Sequence, residues 1–480
     1  MEALYDGART GGGTAAEAGA QATDAAEPAA GDAIAQARDD AEPRAVAAVD
    51  PHSVTKPCPD CGSTVPVDPL YVDWCAACGW NVDPADGQRD ESAPGRIEAL
   101  RRRLAHDYGE ELFREPLPGD GSGARPGRGR DATLALLIAS AVHALTLALA
   151  VGGLLLVVLG WSTVVQPVVG VVVLAVAYVL RPRVARLPKD VPLLHRADAP
   201  RLFGLIDEVA EVVGTRSVDV VVVEARANAS VTTYGLKQRR MLTLGLALWE
   251  SATPQQRIAL LGHELGHYAN GDTRSSIVFV NALRSLSTWL TMLDRTDEPD
   301  LFEMAANALT FLPRKAALGL LVVLDQLTLR SSQRAEYLAD VFAARAGSGA
   351  AAAELMDLLL MAEVADGEVQ RAAVRAQSAK LGGRRRERAV PDGDEDLWAR
   401  VADRMLAVPD REYQRLRRLA ELRGHSADST HPPTHLRRRR LVEGEQFPAR
   451  VVRDAAECAA LAEELAPARA EWQRRVERGY

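Results

Sequence analysis

His263-Glu264-Leu265-Gly266-His267 has a spacing that follows from zinc chemistry. On a helix, residues four apart lie one above the other on the same face. Both imidazoles can then reach one metal while Glu264 addresses the water which that metal polarises. The flanking residues specify the helix independently. Thr253 suits an N-cap, Pro254 the first helical position, Gln256 completes a capping box, and Asn270-Gly271 supplies a stop. Ile258, Leu261 and Leu265 form the expected buried stripe. Nine histidines in 480 residues make a chance register of this pattern rare.

Catalytic zinc usually has three protein ligands and one open position. Glu336, within Ser332-Gln333-Arg334-Ala335-Glu336-Tyr337-Leu338-Ala339-Asp340, is the downstream candidate for the third. Helical spacing puts Asp340 on the same face, where a carboxylate can accept the free ring N–H of a bound histidine. On spacing alone, Glu336 is equally an ordinary solvated helix residue.

HELGHxxxxD over His263 to Asp272, the ExxxD pair Glu336 and Asp340, Asn228-Ala229 after a valine-rich run, and Ser429-Thr430-His431-Pro432-Pro433-Thr434 with Arg437 all occur in this chain. Together they resemble the M48 metallopeptidases, which include HtpX-type membrane heat-shock proteases and CaaX prenyl-protein processing enzymes. The resemblance covers roughly residues 190 to 445. It implies His263, His267 and Glu336 as zinc ligands, Glu264 as the catalytic base, and Asp340 and Asp272 as carboxylates behind the ligands. It further implies Asn228 and Ala229 on a substrate-binding edge, with His431 and Arg437 near the cleft assisting substrate or oxyanion stabilisation. Gln333 departs from the arginine that members often carry there, and His435 matches no family position.

The implied fold is α+β and mostly helical, a gluzincin-type metallopeptidase domain with a transmembrane helical hairpin and a small N-terminal zinc ribbon. Within it, Leu202 to Val213 reads as an amphipathic helix, and Val218 to Glu224 and Met241 to Leu248 read as strands. An extended substrate could pair along a strand edge near the zinc, with limited sequence preference. Residues 350 to 425 read as helical with a polar break at Gly382 to Glu395, and Ala455 to Arg478 as an exposed C-terminal helix.

Residues 1 to 50, rich in Ala, Gly, Asp and Glu, read as a disordered tail and carry no secretory signal. Over 51 to 84, Cys58-Pro59-Asp60-Cys61-Gly62 and Cys75-Ala76-Ala77-Cys78-Gly79 form two knuckles that bring four thiolates to one structural zinc, a pattern that implies a reducing compartment. A disulfide or thioredoxin-like reading fits the paired spacing less well. Residues 85 to 130 read as a linker with a short helix at Arg96 to Arg114. Cys458, in an Ala/Glu-rich helix, reads as a small, partly buried apolar residue.

From Ala132 to Leu180 there is no Asp, Glu, Lys or Arg, which predicts two crossings, 132 to 159 and 164 to 180, inside a hairpin spanning 131 to 181. Arg125, Arg128 and Arg130 precede the pair, and Arg181, Arg183, Arg186 and Lys189 follow it, so the N-terminus and the catalytic domain are expected to face the cytoplasm of a multi-pass cell-membrane protein. Ser275 to Leu293 and Ala305 to Leu329 are also apolar, but Asn281, Arg284, Arg314, Lys315 and Asp325 make spanning costly. The alternative is a helical subdomain over the active site. Residues 446 to 480 close the chain as a separate helix.

Net charge is −8 and the sequence pI about 5.7, which argues against a general nucleic-acid partner. The clusters Arg384 to Arg388 and Arg437 to Arg440 read as solvated faces. The expected partners are protein or peptide substrates, membrane lipid, and a protein partner at the ribbon. Two rival readings remain: a latent or non-hydrolytic membrane scaffold, and a zinc-sensing or recruiting protein that works through the ribbon.

Overall fold

The computed structural model describes residues 54–84, 96–115, 130–270, 272–294, 301–381, 396–423 and 431–479. The expected tail at 1 to 50, the polar break, the cluster Arg384 to Arg388, Gly271 and Ser429-Thr430 lie outside these residues, as does the Asp272 side chain.

The ribbon is a hairpin of β1 (Thr55–Pro57) and β2 (Thr64–Pro66), paired antiparallel with Thr55 opposite Pro66. Gly62 and Gly79 follow the knuckles with φ of +72° and +81°, a backbone region that side chains disfavour. Helix α1 (Arg96–Arg114) follows, then α2 (Arg130–Leu159) and α3 (Val165–Leu180). Helices α2 and α3 form the expected hairpin, and they meet at glycine. A Cβ on Gly170 would lie 2.8 Å from the Gly153 carbonyl.

Outward residues of this hairpin, such as Leu137, Leu147, Leu159 and Val164, are exposed, and exposed apolar surface of this kind marks a membrane or partner contact. By length and composition, α2 and α8 (Leu301–Gly347) are the two described helices able to cross a membrane, and α3 is shorter. Ala135, Ala139 and Val142 of α2 pack against Ala282 and Leu286 of α7 (Asp272–Met292) and Ala317 and Leu324 of α8. Asn281, Arg284 and Ser285 of α7 sit at the end of the hairpin. Arg183 N donates to Asn281 Oδ1 at 2.8 Å, and the Arg284 guanidinium donates to Arg181 O at 3.1 Å.

The peptidase region holds a four-stranded sheet in the order β3 (Leu193–Leu194), β4 (Val220–Glu224), β6 (Arg239–Gly245), β5 (Ala229–Tyr234). β4 and β6 run parallel, while β5 pairs antiparallel with β6 alone and so forms an edge. The strand expected over Met241 to Leu248 ends at Gly245, where its β4 partner runs out at Glu224. The chain then turns into the core as helix α5 (Leu246–Ser251), with Leu246 to Trp249 buried.

One hydrophobic core joins α4 (Pro200–Val213), the sheet, α5, α6 (Pro254–Asn270) and the end of α8 to α9 (Gly349–Leu360), α10 (Ala362–Leu381) and α11 (Leu397–Leu406). Helices α12 (Asp410–Arg423) and α13 (Thr434–Glu443) follow, then α14 (Ala455–Arg478). Helix α14 was expected to be exposed. Its stripe of Leu461, Leu465, Ala468, Trp472 and Val476 instead belongs to the main core, and Trp472 Nε1 donates to Val223 O at 2.8 Å.

Candidate metallopeptidase site

The capping box forms as the sequence specifies. Gln256 N donates to Thr253 Oγ1 at 3.3 Å, and Thr253 N donates to Gln256 Oε1 at 3.0 Å. Helix α6 then carries His263, Glu264 and His267 into the interior, where the two imidazoles stand 4.9 Å apart at 90°. The glycines of this helix let α8 come close. A Cβ on Gly262 would lie 2.9 Å from the Phe342 carbonyl, and one on Gly266 would lie 3.1 Å from Ala339 Cα.

That approach delivers Glu336. Its Oε2 lies 3.5 Å from His263 Nε2, and its Oε1 lies 3.5 Å from His267 Nε2. Three ligand atoms about 2.1 Å from a tetrahedral zinc stand about 3.4 Å from one another. Glu336 Oε2 is also a buried carboxylate oxygen that accepts no hydrogen bond from a described residue. The donor set therefore fits zinc.

Asp340, one turn on, places Oδ1 3.1 Å from His263 Nδ1, which leaves Nε2 directed at Glu336. Arg437 grips the same carboxylate at both ends, Nε to Oδ2 at 2.8 Å and Nη2 to Oδ1 at 2.6 Å. Arg437 is only 2 % exposed, behind the ligands, a place suited to holding Asp340. His431 Nε2 lies 3.3 Å from Glu336 Oε2, and its side chain is more open than those of His263 and Glu336.

Charge follows from this packing. Burial disfavours a charged His263, yet the Asp340 and Glu336 carboxylates outweigh burial and raise its pKa to about 10. Burial also opposes ionised Glu336, but His431, His263, His267 and Arg437 hold it well below the usual carboxylate range. Asp340 is lowered against burial by Arg437, and Arg437 is raised by Asp340.

Asn228 leads into edge strand β5, and its carbonyl accepts from Gly245 N at 2.8 Å. Ala229 opens the strand. Tyr268, which the sequence reading passed over, ties the metal helix to this sheet: its hydroxyl accepts from Met241 N at 3.1 Å and donates to the Thr232 carbonyl. No spacing rule marks such a bond, because its partners are main-chain groups.

Residues 197–445, just over half of the chain, match peptidase family M48. The chain belongs to that family. It is also similar to a protease HtpX homolog of Methanothermobacter thermautotrophicus, at 25 % identity over 170 residues. That similarity takes in 35 % of this chain and spans 62 % of the relative's length. No solved structure matches.

In the ribbon, Cys58, Cys61, Cys75 and Cys78 converge, with Cys58 Sγ 3.6 Å from Cys78 Sγ and Cys61 Sγ 3.6 Å from Cys75 Sγ. Four sulfurs about 2.3 Å from a tetrahedral zinc stand about 3.8 Å apart, so this set fits as well. Within the cluster the Ser63 hydroxyl and main chain pull the Cys61 thiol down, while, against the Trp80 main chain, desolvation and the neighbouring cysteines push Cys78 up, as crowding four thiols into one site requires.

The arginines expected as a solvated face are mostly engaged. Arg437 is buried on Asp340, Arg438 Nε lies 2.8 Å from Asp357 Oδ1, and Arg440 reaches the carbonyl end of α1; Arg439 is exposed. Four successive helical residues point about 100° apart, so they cannot share one face.

Proposed function

We propose that this M48 peptidase is a membrane-anchored zinc endopeptidase that hydrolyses peptide bonds of protein substrates at the cytoplasmic face. The observation that carries the reading is the convergence of His263 Nε2, His267 Nε2 and the Glu336 carboxylate around one point, with Glu264 on the same helix. Zinc bound there would polarise a water and the scissile carbonyl. Glu264, on the same helix as the two histidines, would act as the base that holds the proton of the attacking water and as the acid that passes it to the leaving amine. His431, whose Nε2 lies 3.3 Å from Glu336 Oε2, would donate to the negative charge that develops on the carbonyl oxygen. Arg437 acts through Asp340, keeping His263 in the tautomer and orientation that leave Nε2 for the metal.

Edge strand β5, beginning at Asn228-Ala229, offers a substrate main-chain pairing, which suits unfolded segments of many sequences. Quality control of membrane proteins is the task this arrangement fits. The protease named among its relatives supports the chemistry, and the apolar hairpin supports the anchor. The basic flanks of the hairpin and the four thiolates both favour a cytoplasmic placement. A second zinc is structural, in the ribbon.

Zinc counting by mass spectrometry on detergent-purified protein tests this reading. Wild type should carry two zincs and degrade an unfolded protein. His267→Ala should carry one and degrade nothing. Wild type holding a single zinc that Cys75→Ser alone removes would overturn the proposal.

A further inference from the structure

The ribbon and α1 lie outside the segment matched by the family, yet the ribbon closes onto α12 and α1 closes onto α8 and α13, the helices that carry Glu336 and Arg437; α12 and α13 in turn share Asp357 through Arg417 and Arg438. Arg411 of α12 donates to the carbonyls of Pro66 and Trp74, each at 2.6 Å. One turn on, Arg415 donates to Val82 O at 2.9 Å and is held in place by Glu412. Trp74, the residue before Cys75, is buried beneath Arg418. The acceptors are main-chain carbonyls set by the knuckle fold, so this grip exists only while the ribbon is folded.

The second grip is α1. Arg440 donates to Leu112 O and Glu115 O at 2.7 Å each, capping the C-terminal end of α1. Tyr337 Oη donates to Gly109 O at 3.0 Å, and Gln333 Nε2 donates to Ala105 O at 2.8 Å. Gln333, where relatives often carry arginine, is fully buried in that contact. Pro433 packs so tightly on Gly109 that a Cβ there would lie 2.8 Å from its ring. Gln333 and Tyr337 flank Glu336, Pro433 lies within the segment from His431 to Arg437, and Arg440 follows Arg437 by three residues.

We propose that the ribbon and α1 form an intramolecular clamp that positions Glu336, His431 and Arg437 for hydrolysis, with Arg411, Arg415, Tyr337 and Arg440 as its positioning residues. The ribbon face on α12 is then used within the chain rather than offered to a partner. The proposal rests on the peptidase reading.

Arg411→Gln/Arg415→Gln in the full-length protein tests it, because the four thiolates and the metal ligands stay intact. Amide exchange across 404–423 and 431–443 should quicken by about tenfold or more, with α4 and α6 unchanged. On an unfolded protein substrate, kcat should fall about tenfold while KM stays within about threefold, as expected when groups that act in the transition state lose their placement. Unchanged kcat, or a loss of kcat without faster exchange in that stretch, overturns the clamp.

Should the double variant not fold, Tyr337→Phe removes a single hydroxyl bond and must lower kcat in the same way by about threefold; an unchanged kcat there overturns the proposal. If wild type with two zincs hydrolyses nothing, the peptidase reading fails instead. The clamp is then decided by how fast a chelator strips zinc from the HExxH site. An equal rate in wild type and variants overturns it.

Discussion

Replacing Arg437 by glutamine should be the most damaging single change to an arginine among the described residues. The guanidinium is 2 % exposed and makes two bonds to Asp340, itself 3 % exposed. Removing it leaves a buried carboxylate without its cation, a loss of about 3–5 kcal/mol. For a domain of this size that is a fall in Tm of roughly 6–20 °C. Zinc affinity should drop about 10–100-fold as well, because Asp340 then no longer fixes His263.

The control is two residues away. Arg439 pairs with Glu443, both side chains being more than half exposed (58 % and 55 %). Arg439→Gln should stay within about 0.5 kcal/mol of wild type. Scanning calorimetry on detergent-purified protein, zinc-loaded and chelated, compares the two. Equal shifts, with zinc affinity unchanged in Arg437→Gln, would refute the buried-pair argument.

Other outcomes follow from the same geometry. Zinc affinity should rise with pH. His263 is held protonated up to about 10 in the metal-free protein, so at lower pH zinc must displace that proton, and affinity should gain up to about tenfold per unit; a competition titration that is flat with pH contradicts this. Gly262→Ala should drive a methyl against the Phe342 carbonyl of α8, costing about 1–3 kcal/mol and weakening zinc binding by moving Glu336; zinc binding equal to wild type would show that α8 can yield without moving its ligand. His431→Ala should keep both zincs and lower kcat by about 100-fold, the size expected for one lost donor to the oxyanion; a lost zinc would instead make His431 a ligand.

The site was legible where its signal was local. The HExxH residues share one helical face, and the capping box that starts α6 appears bond for bond. Glu336 lies on a different helix, so spacing left it open, and the ordered family motifs were needed to single it out. Failures came where the partner was main chain or the pattern was diluted. The stripe of α14 runs at helical spacing from Leu461 to Val476, but its alanines, glutamates and arginines masked it.

Helix α8 runs unbroken through Pro313, so the apolar stretch Ala305 to Leu329 and the Glu336 segment are one helix, which the sequence pattern did not join. The ribbon's seat on α12 had no sequence signal, because Arg411 and Arg415 bind backbone carbonyls that any residue supplies. The edge at β5 was reached through Asn228-Ala229 and the resemblance. Its own alternation, over Ala229 to Tyr234, is weak.

Hydrolysis of an unfolded model protein, by metal-stripped and zinc-reloaded enzyme beside Glu264→Gln, tests the central claim most directly. The account predicts cleavage by reloaded wild type alone, with Glu264→Gln still binding two zincs. Full cleavage by Glu264→Gln in a clean preparation, or none by zinc-loaded wild type, would contradict it.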